Sequence, residues 1–172
     1  HTGRDRVVQV QAGGGNARRR SAQPFAERFA LHDADAAGRL EAGAPLAALV
    51  IAPFGGIDGQ HPARRAVARW LASAQALGAV TILDERALGL RCAPGGARQY
   101  LAVDAELSVF GDMLAAGLPF GAVVARGAWA ANDAADALRH DCHPLAIAAA
   151  TATLDELQRI GPDLQHELNA RT

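Results

Sequence analysis

The chain has 172 residues and a formal net charge of -1; half of its residues are apolar and 5% are aromatic. This length accommodates a domain with a real core, and the near-balance of charge argues against nucleic acid or an anionic membrane surface as the partner. No run reaches the roughly 18 uninterrupted apolar residues of a membrane-crossing helix, so composition says soluble globular domain and little more.

The opening residues His1 to Asp5 have neither the charged nor the apolar region of a signal peptide, and they read as a chain met part-way through a longer one. Residues 7–10 (VVQV) are β-branched and predict a strand. The loop that follows carries Gly13, Gly14 and Gly15 and then Arg18, Arg19 and Arg20. Such a loop could cradle a phosphate or an acidic partner, but it lacks the strand–GxxxxGK–helix frame and equally reads as a solvated linker. Residues 22–43 are polar and mixed and support no single assignment. Residues 48–52 (ALVIA), ending at Pro53, are apolar throughout, as expected of a strand buried on both faces.

After glycines 55, 56 and 59, residues 63–77 predict a helix that presents Val67, Trp70, Leu71 and Leu77 on one face and closes at Gly78. Residues 79–83 (AVTIL) predict a second buried strand that runs into Asp84, with Glu85 and Arg86 as a solvated turn. Residues 107–110 and 122–125 predict two more strands, separated by glycine-rich turns. A short helix is expected from Asn132 or Asp133 to Arg139. A long one follows at 144–160, with Pro at its first turn and Gly161 at its end, and a last one at 163–172. Strands alternating with helices predict an α/β fold: a mostly parallel sheet flanked by helices, read as one domain over 1–172.

All 17 basic residues are Arg and none is Lys. GC-rich coding accounts for such a bias. The chemical consequence holds whatever the cause, because no side chain here can form a Schiff base with an aldehyde or ketone. Cys92 and Cys142 are the only cysteines and read as reduced thiols of a cytoplasmic protein. His140, Asp141, Cys142 and His143 are adjacent, a pattern that neither metal geometry nor a Cys–His nucleophile favours over a polar loop. His61, before Pro62, reads as a loop residue.

The ordered set Asp84-Glu85-Arg86, Gly89-Leu90-Arg91, Gly95-Gly96-Ala97, Ala105-Glu106-Leu107, Gly111-Asp112 and Gly117-Leu118-Pro119-Phe120-Gly121-Ala122 resembles the large domain of class III aminotransferases. Within that family it is most similar to glutamate-1-semialdehyde aminomutases. Thr2 to Asp5 resembles the family's approach to an early strand, and His143-Pro144-Leu145-Ala146 resembles its Asn-Pro-Leu-Ala helix start. The resemblance implies part of a fold type I pyridoxal-phosphate domain, degenerate and truncated, usually a homodimer.

It also implies roles by position. Asp84 matches the carboxylate that pairs with the pyridine nitrogen, and Asp112 stands where the family has its lysine. Gly14-Gly15 stands where a Tyr-His pair packs on the ring, Ala52-Pro53 where a Glu-Pro loop lies, and Arg139 near a phosphate-binding Thr. Arg91 could bind a carboxylate, though a surface role is its default. The expectation is a catalytically inactive domain with no cofactor. It would serve as a structural, dimerisation or interaction module, covered by a second copy or a neighbouring domain, in a biosynthetic multidomain protein. The alternative is an aminotransferase or aminomutase that binds its cofactor without a covalent link or takes a lysine from a partner chain.

Overall fold

Runs of branched aliphatic residues dictate the first half of the chain, because strands buried on both faces need apolar side chains on both. A computed structural model describes residues 6–11, 26–31, 36–41, 43, 45–54, 64–87, 89–111, 113–130 and 143–171. These fall into two compact units, drawn from residues 1–84 with 101–105 and from 85–100 with 106–172.

The first unit holds four strands, β1 (Arg6–Gln11), β2 (Ala26–Ala30), β3 (Leu46–Ala52) and β4 (Val80–Asp84), with helices α1 (Ala36–Glu41) and α2 (Arg64–Ala76). All pairings among the four strands are parallel: β2 with β1, β1 with β3 and β3 with β4. Val8, Val10, Leu49, Ile51 and Leu83 have no exposed surface. The strand expectations at 7–10, 48–52 and 79–83 are met within two residues. β2 and α1 lie in the stretch that supported no assignment.

Helix α2 buries Val67, Trp70, Leu71 and Ala74. Ala74 takes the core place that periodicity gave to Leu77, which is only half-buried. Gly78 adopts φ +66°. Its N–H donates to the Gln75 carbonyl, and the Ala79 N–H donates to the Ala74 carbonyl, the six-to-one and five-to-two pattern by which a left-handed residue ends a helix. The Trp70 indole N–H donates to the Leu31 carbonyl at 3.1 Å in a buried setting, and its ring lies 6.0 Å from that of Phe29. This ties the end of β2 to α2.

The second unit contains α3 (Gly89–Cys92), α4 (Gly96–Leu101), an antiparallel pair β5 (Leu107–Gly111) and β6 (Gly121–Ala125), and two further helices, here α5 (Pro144–Ile160) and α6 (Asp163–Ala170). The long helix fulfils its expectation: Pro144 opens it, the His143 imidazole caps it by accepting from the Leu145 N–H, and Gly161 closes it at φ +71°. Its small buried side chains, Ala146 and Ala150, pack on Ala115, with Leu118 and Phe120 alongside. The four-residue helix α3 cannot satisfy its own carbonyls. Side chains of α6 do so instead, Gln165 donating to Leu90 and Asn169 to Cys92. The expected helix ending at Arg139 lies outside the described residues. Among the described residues, no helix is long and apolar enough to cross a membrane.

Replacing Trp70 by Phe keeps a large ring and deletes one donor. The Leu31 carbonyl is then buried without a partner, which costs about 1–3 kcal/mol, and equilibrium urea unfolding followed by circular dichroism measures it.

Candidate functional site

Parallel strands all end on one edge of their sheet, and in open α/β folds that carboxyl edge is where ligands bind. The described strands of the first unit end at Gln11, Ala30, Ala52 and Asp84, of which Asp84 is the charged one. It lies one residue beyond the Ile51–Leu83 register pair. Alternation along β4 buries Thr81 and Leu83 and leaves Val80, Ile82 and Asp84 half-exposed on the other face. Asp84 therefore stands at the carboxyl edge of the four parallel strands and is partly exposed. No carboxylate accompanies it from β3, which ends in half-buried Ala52 and buried Pro53.

Glu85 differs from its expectation. It is 3% exposed rather than solvated. Its carboxylate accepts from the Ala97 N–H at the start of α4, so it supplies the acceptor that the first turn of a helix needs. Its Oε1 meets no donor in hydrogen-bonding geometry. Space for the carboxylate comes from missing side chains: a Cβ on Gly89 would stand 2.9 Å from Oε2, and one on Gly96 would collide with it. Gly96 also holds φ +72°, a conformation open chiefly to glycine. Burial pushes the Glu85 carboxyl pKa up. The Ala97 amide, the Ser108 hydroxyl, and the amide and charge of Arg98 act the other way without overcoming it. The neighbouring Cys92 thiol donates to the Gly89 carbonyl, and burial, then the Glu85 charge, push its pKa up to about 11. It is a protonated thiol at neutral pH, not a nucleophile.

Arg91 is exposed, as expected of a surface residue. Asp112, the Gly13–Gly15 and Arg18–Arg20 loop, His61, and Arg139 to Cys142 lie outside the described residues. His143 serves as the helix cap already described. Among the described residues no group of three or more His, Cys, Asp or Glu could hold a metal. Sequence reasoning missed the burial of Glu85, whose signal is the pair of glycines at positions 89 and 96.

No family model matches the chain. It is 31% identical over 126 residues to a glutamate-1-semialdehyde 2,1-aminomutase of Hyperthermus butylicus, a match that takes in 70% of this chain and 30% of that protein. The chain thus spans about 30% of the length of that curated relative. Among solved structures, a β-phenylalanine aminotransferase from Variovorax paradoxus superposes with a TM-score of 0.72 at 24% identity, covering 95% of this chain and 41% of that one. A transaminase solved with PLP bound superposes at 0.66, also at 24% identity, covering 90% of this chain and 44% of that one. These neighbours correct the expectation of no cofactor. The same fold carries pyridoxal phosphate in that transaminase, and the missing lysine bears only on a covalent link to it.

Two outcomes follow from the buried cluster. Glu85 has a folded pKa above its ordinary 4.5, so the folded state holds that proton to higher pH than the unfolded one. Its contribution to stability is complete below the ordinary value and is lost as pH rises through the raised one. Glu85→Gln removes this slope. Thermal midpoints from about pH 4 to about pH 8 should show the variant gaining on the wild type as pH rises. In a Cys142→Ser background, iodoacetamide should modify native Cys92 at pH 8 at least about tenfold more slowly than the urea-unfolded chain, because the thiolate is the reactive form.

Proposed function

We propose that this chain, class III aminotransferase-like in sequence and fold type I in architecture, keeps that fold as a structural and interaction module and does not transaminate with its own residues. One observation carries the reading: there is no lysine among its 172 residues, so no side-chain amine can hold an aldehyde cofactor through a C=N bond.

The cofactor belongs to the reading as a reversibly held group. When bound, pyridoxal phosphate supplies an electron-accepting ring whose strength depends on a protonated ring nitrogen. Asp84 fits the partner of that nitrogen, being a carboxylate at the open end of β4 on its half-exposed face. Residue 112, an aspartate, offers no amine in place of the family's lysine. Support for an interaction role comes from apolar side chains left in solvent: Val123 and Val124 of β6 are 56% and 51% exposed, and Leu145 of α5 is 60% exposed. A second copy or a neighbouring domain would cover them, in a cytoplasmic setting.

A second reading is an aminotransferase or aminomutase-type enzyme with a non-covalent cofactor or a lysine from a partner chain. The retention of Asp84 favours it. Titration with pyridoxal phosphate, then borohydride reduction and mass spectrometry, separates the two. The module reading expects a saturable absorbance change that dialysis reverses, no reduced adduct on any side chain, and no keto acid formed from an amine donor. Amino-group transfer by the purified chain would sink it and establish the enzyme.

A further inference from the structure

We infer that the open side of β6 is a pairing edge for β6 of a second copy of this chain, the two strands running antiparallel about a two-fold axis through Val123. The inference rests on the interaction-module reading above and gives that module its partner. Every residue it uses lies in the second unit.

In an antiparallel pair, opposed residues alternate between those that exchange hydrogen bonds and those that turn N–H and C=O outward. The Arg126 N–H donates to the Glu106 carbonyl at 3.0 Å, so that pair faces inward. In the β5–β6 register, Ala125 opposes Leu107, Val123 opposes Val109 and Gly121 opposes Gly111, and these alternate pairs face outward. The Val109 carbonyl agrees, accepting from the Glu85 N–H at 2.8 Å on the side away from β6. Gly121, Val123 and Ala125 therefore aim their backbone groups at the far side of β6, where, among the described residues, no strand pairs. Val123 and Val124 point to opposite faces by alternation, and both are more than half exposed.

A second copy fits this edge in one register. A two-fold axis perpendicular to the strands keeps each face on its own side and lets Val123 oppose its own counterpart, with Gly121 opposite Ala125 at either end. Each of these three pairs faces outward on both strands and exchanges two hydrogen bonds, which uses every backbone group the edge offers. Centring on Val124 instead would oppose two inward-facing residues and leave only two such pairs within the strand.

Charge agrees with this register. β6, GAVVA, has neither charge nor proline, the usual guards of an open edge, so identical strands meet without like charges between them. Arg126 is still extended, at φ -125° and ψ 158°, and comes opposite Phe120 of the other copy, where a guanidinium and an aromatic ring attract. The two Arg126 residues stand about 20 Å apart along the strands, beyond a Debye length. Two five-residue strands bury less than the roughly 1,200 Å² of a stable interface, so the dimer is reversible. Pairing consumes the edge, so assembly stops at two.

Sedimentation velocity of the 172-residue chain from about 10 to about 500 µM should take the wild type from monomer towards dimer and no further. Val123→Pro deletes an edge donor and no bond to β5, so it should keep the wild-type circular dichroism and stay monomeric over that range. Val123→Lys and Val123→Glu each place like charges face to face across the axis. Each should be monomeric alone, and their equimolar mixture should associate at least about tenfold more tightly than either, because opposite charges then meet.

A wild type that stays monomeric overturns the inference and leaves the module reading to a different partner. A dimer that Val123→Pro and Val123→Lys leave intact overturns it too, while a second copy then binds through another surface. Growth beyond two copies overturns the closed pairing. Should Val123→Pro not fold, the mixed charge variants decide, and their failure to associate overturns the register and the inference with it.

Discussion

A carboxylate taken out of water must be met by donors, and the segment from residue 85 to residue 111 is arranged around that demand. The first turn of α4 turns its amides toward Glu85. Two positions beside the carboxylate carry no side chain, and one of them takes a backbone conformation that alanine would resist. β5 contributes the Val109 carbonyl to the backbone of Glu85 and the Ser108 hydroxyl to its side chain. Each of these features looks like an independent local choice in the sequence. Together they are consequences of one buried carboxylate.

The other constraint is strand direction. Parallel pairing of β1, β2, β3 and β4 brings the last residues of the described strands of the first unit to the same edge. Among the described strand ends of that unit, Gln11, Ala30 and Ala52 are uncharged and Asp84 is a carboxylate. The core behind it is built from Val, Leu and Ile together with one large ring. Trp70 earns its place by doing two things at once: it fills volume between α2 and the strands, and it satisfies a carbonyl at the end of β2.

How much of this was legible in the sequence depended on whether the controlling forces were local. The runs ALVIA and AVTIL announce buried strands because burial on both faces leaves no polar position. The helices at 64–76 and 144–160 announce themselves through proline, glycine and periodicity. β2 was not readable, since AERFA mixes charges with a single aromatic and gives no clear alternation. The helices α3 and α4 were not readable either. They are shorter than any period that could betray them, and α3 is completed by Gln165 and Asn169, more than seventy residues away. Glu85 was misread for the same reason, because its partner is a backbone amide twelve residues on. The cofactor was misjudged on different grounds. A missing covalent anchor does not remove the group, because ring, phosphate and nitrogen contacts are separate sources of affinity.

Fold and covalent chemistry tolerate substitution to different degrees. A strand core accepts any apolar set of about the right volume, so a sheet survives extensive change at 24% identity to its structural neighbours. An imine-forming site accepts one functional group. Arginine replaces lysine freely on a surface, where only charge and a long stem are needed. It cannot do so at a C=N bond, because its guanidinium stays protonated and delocalised throughout the physiological range. A chain whose 17 basic residues are all arginine therefore has side chains suited to ion pairs and solvation and none that can form an imine.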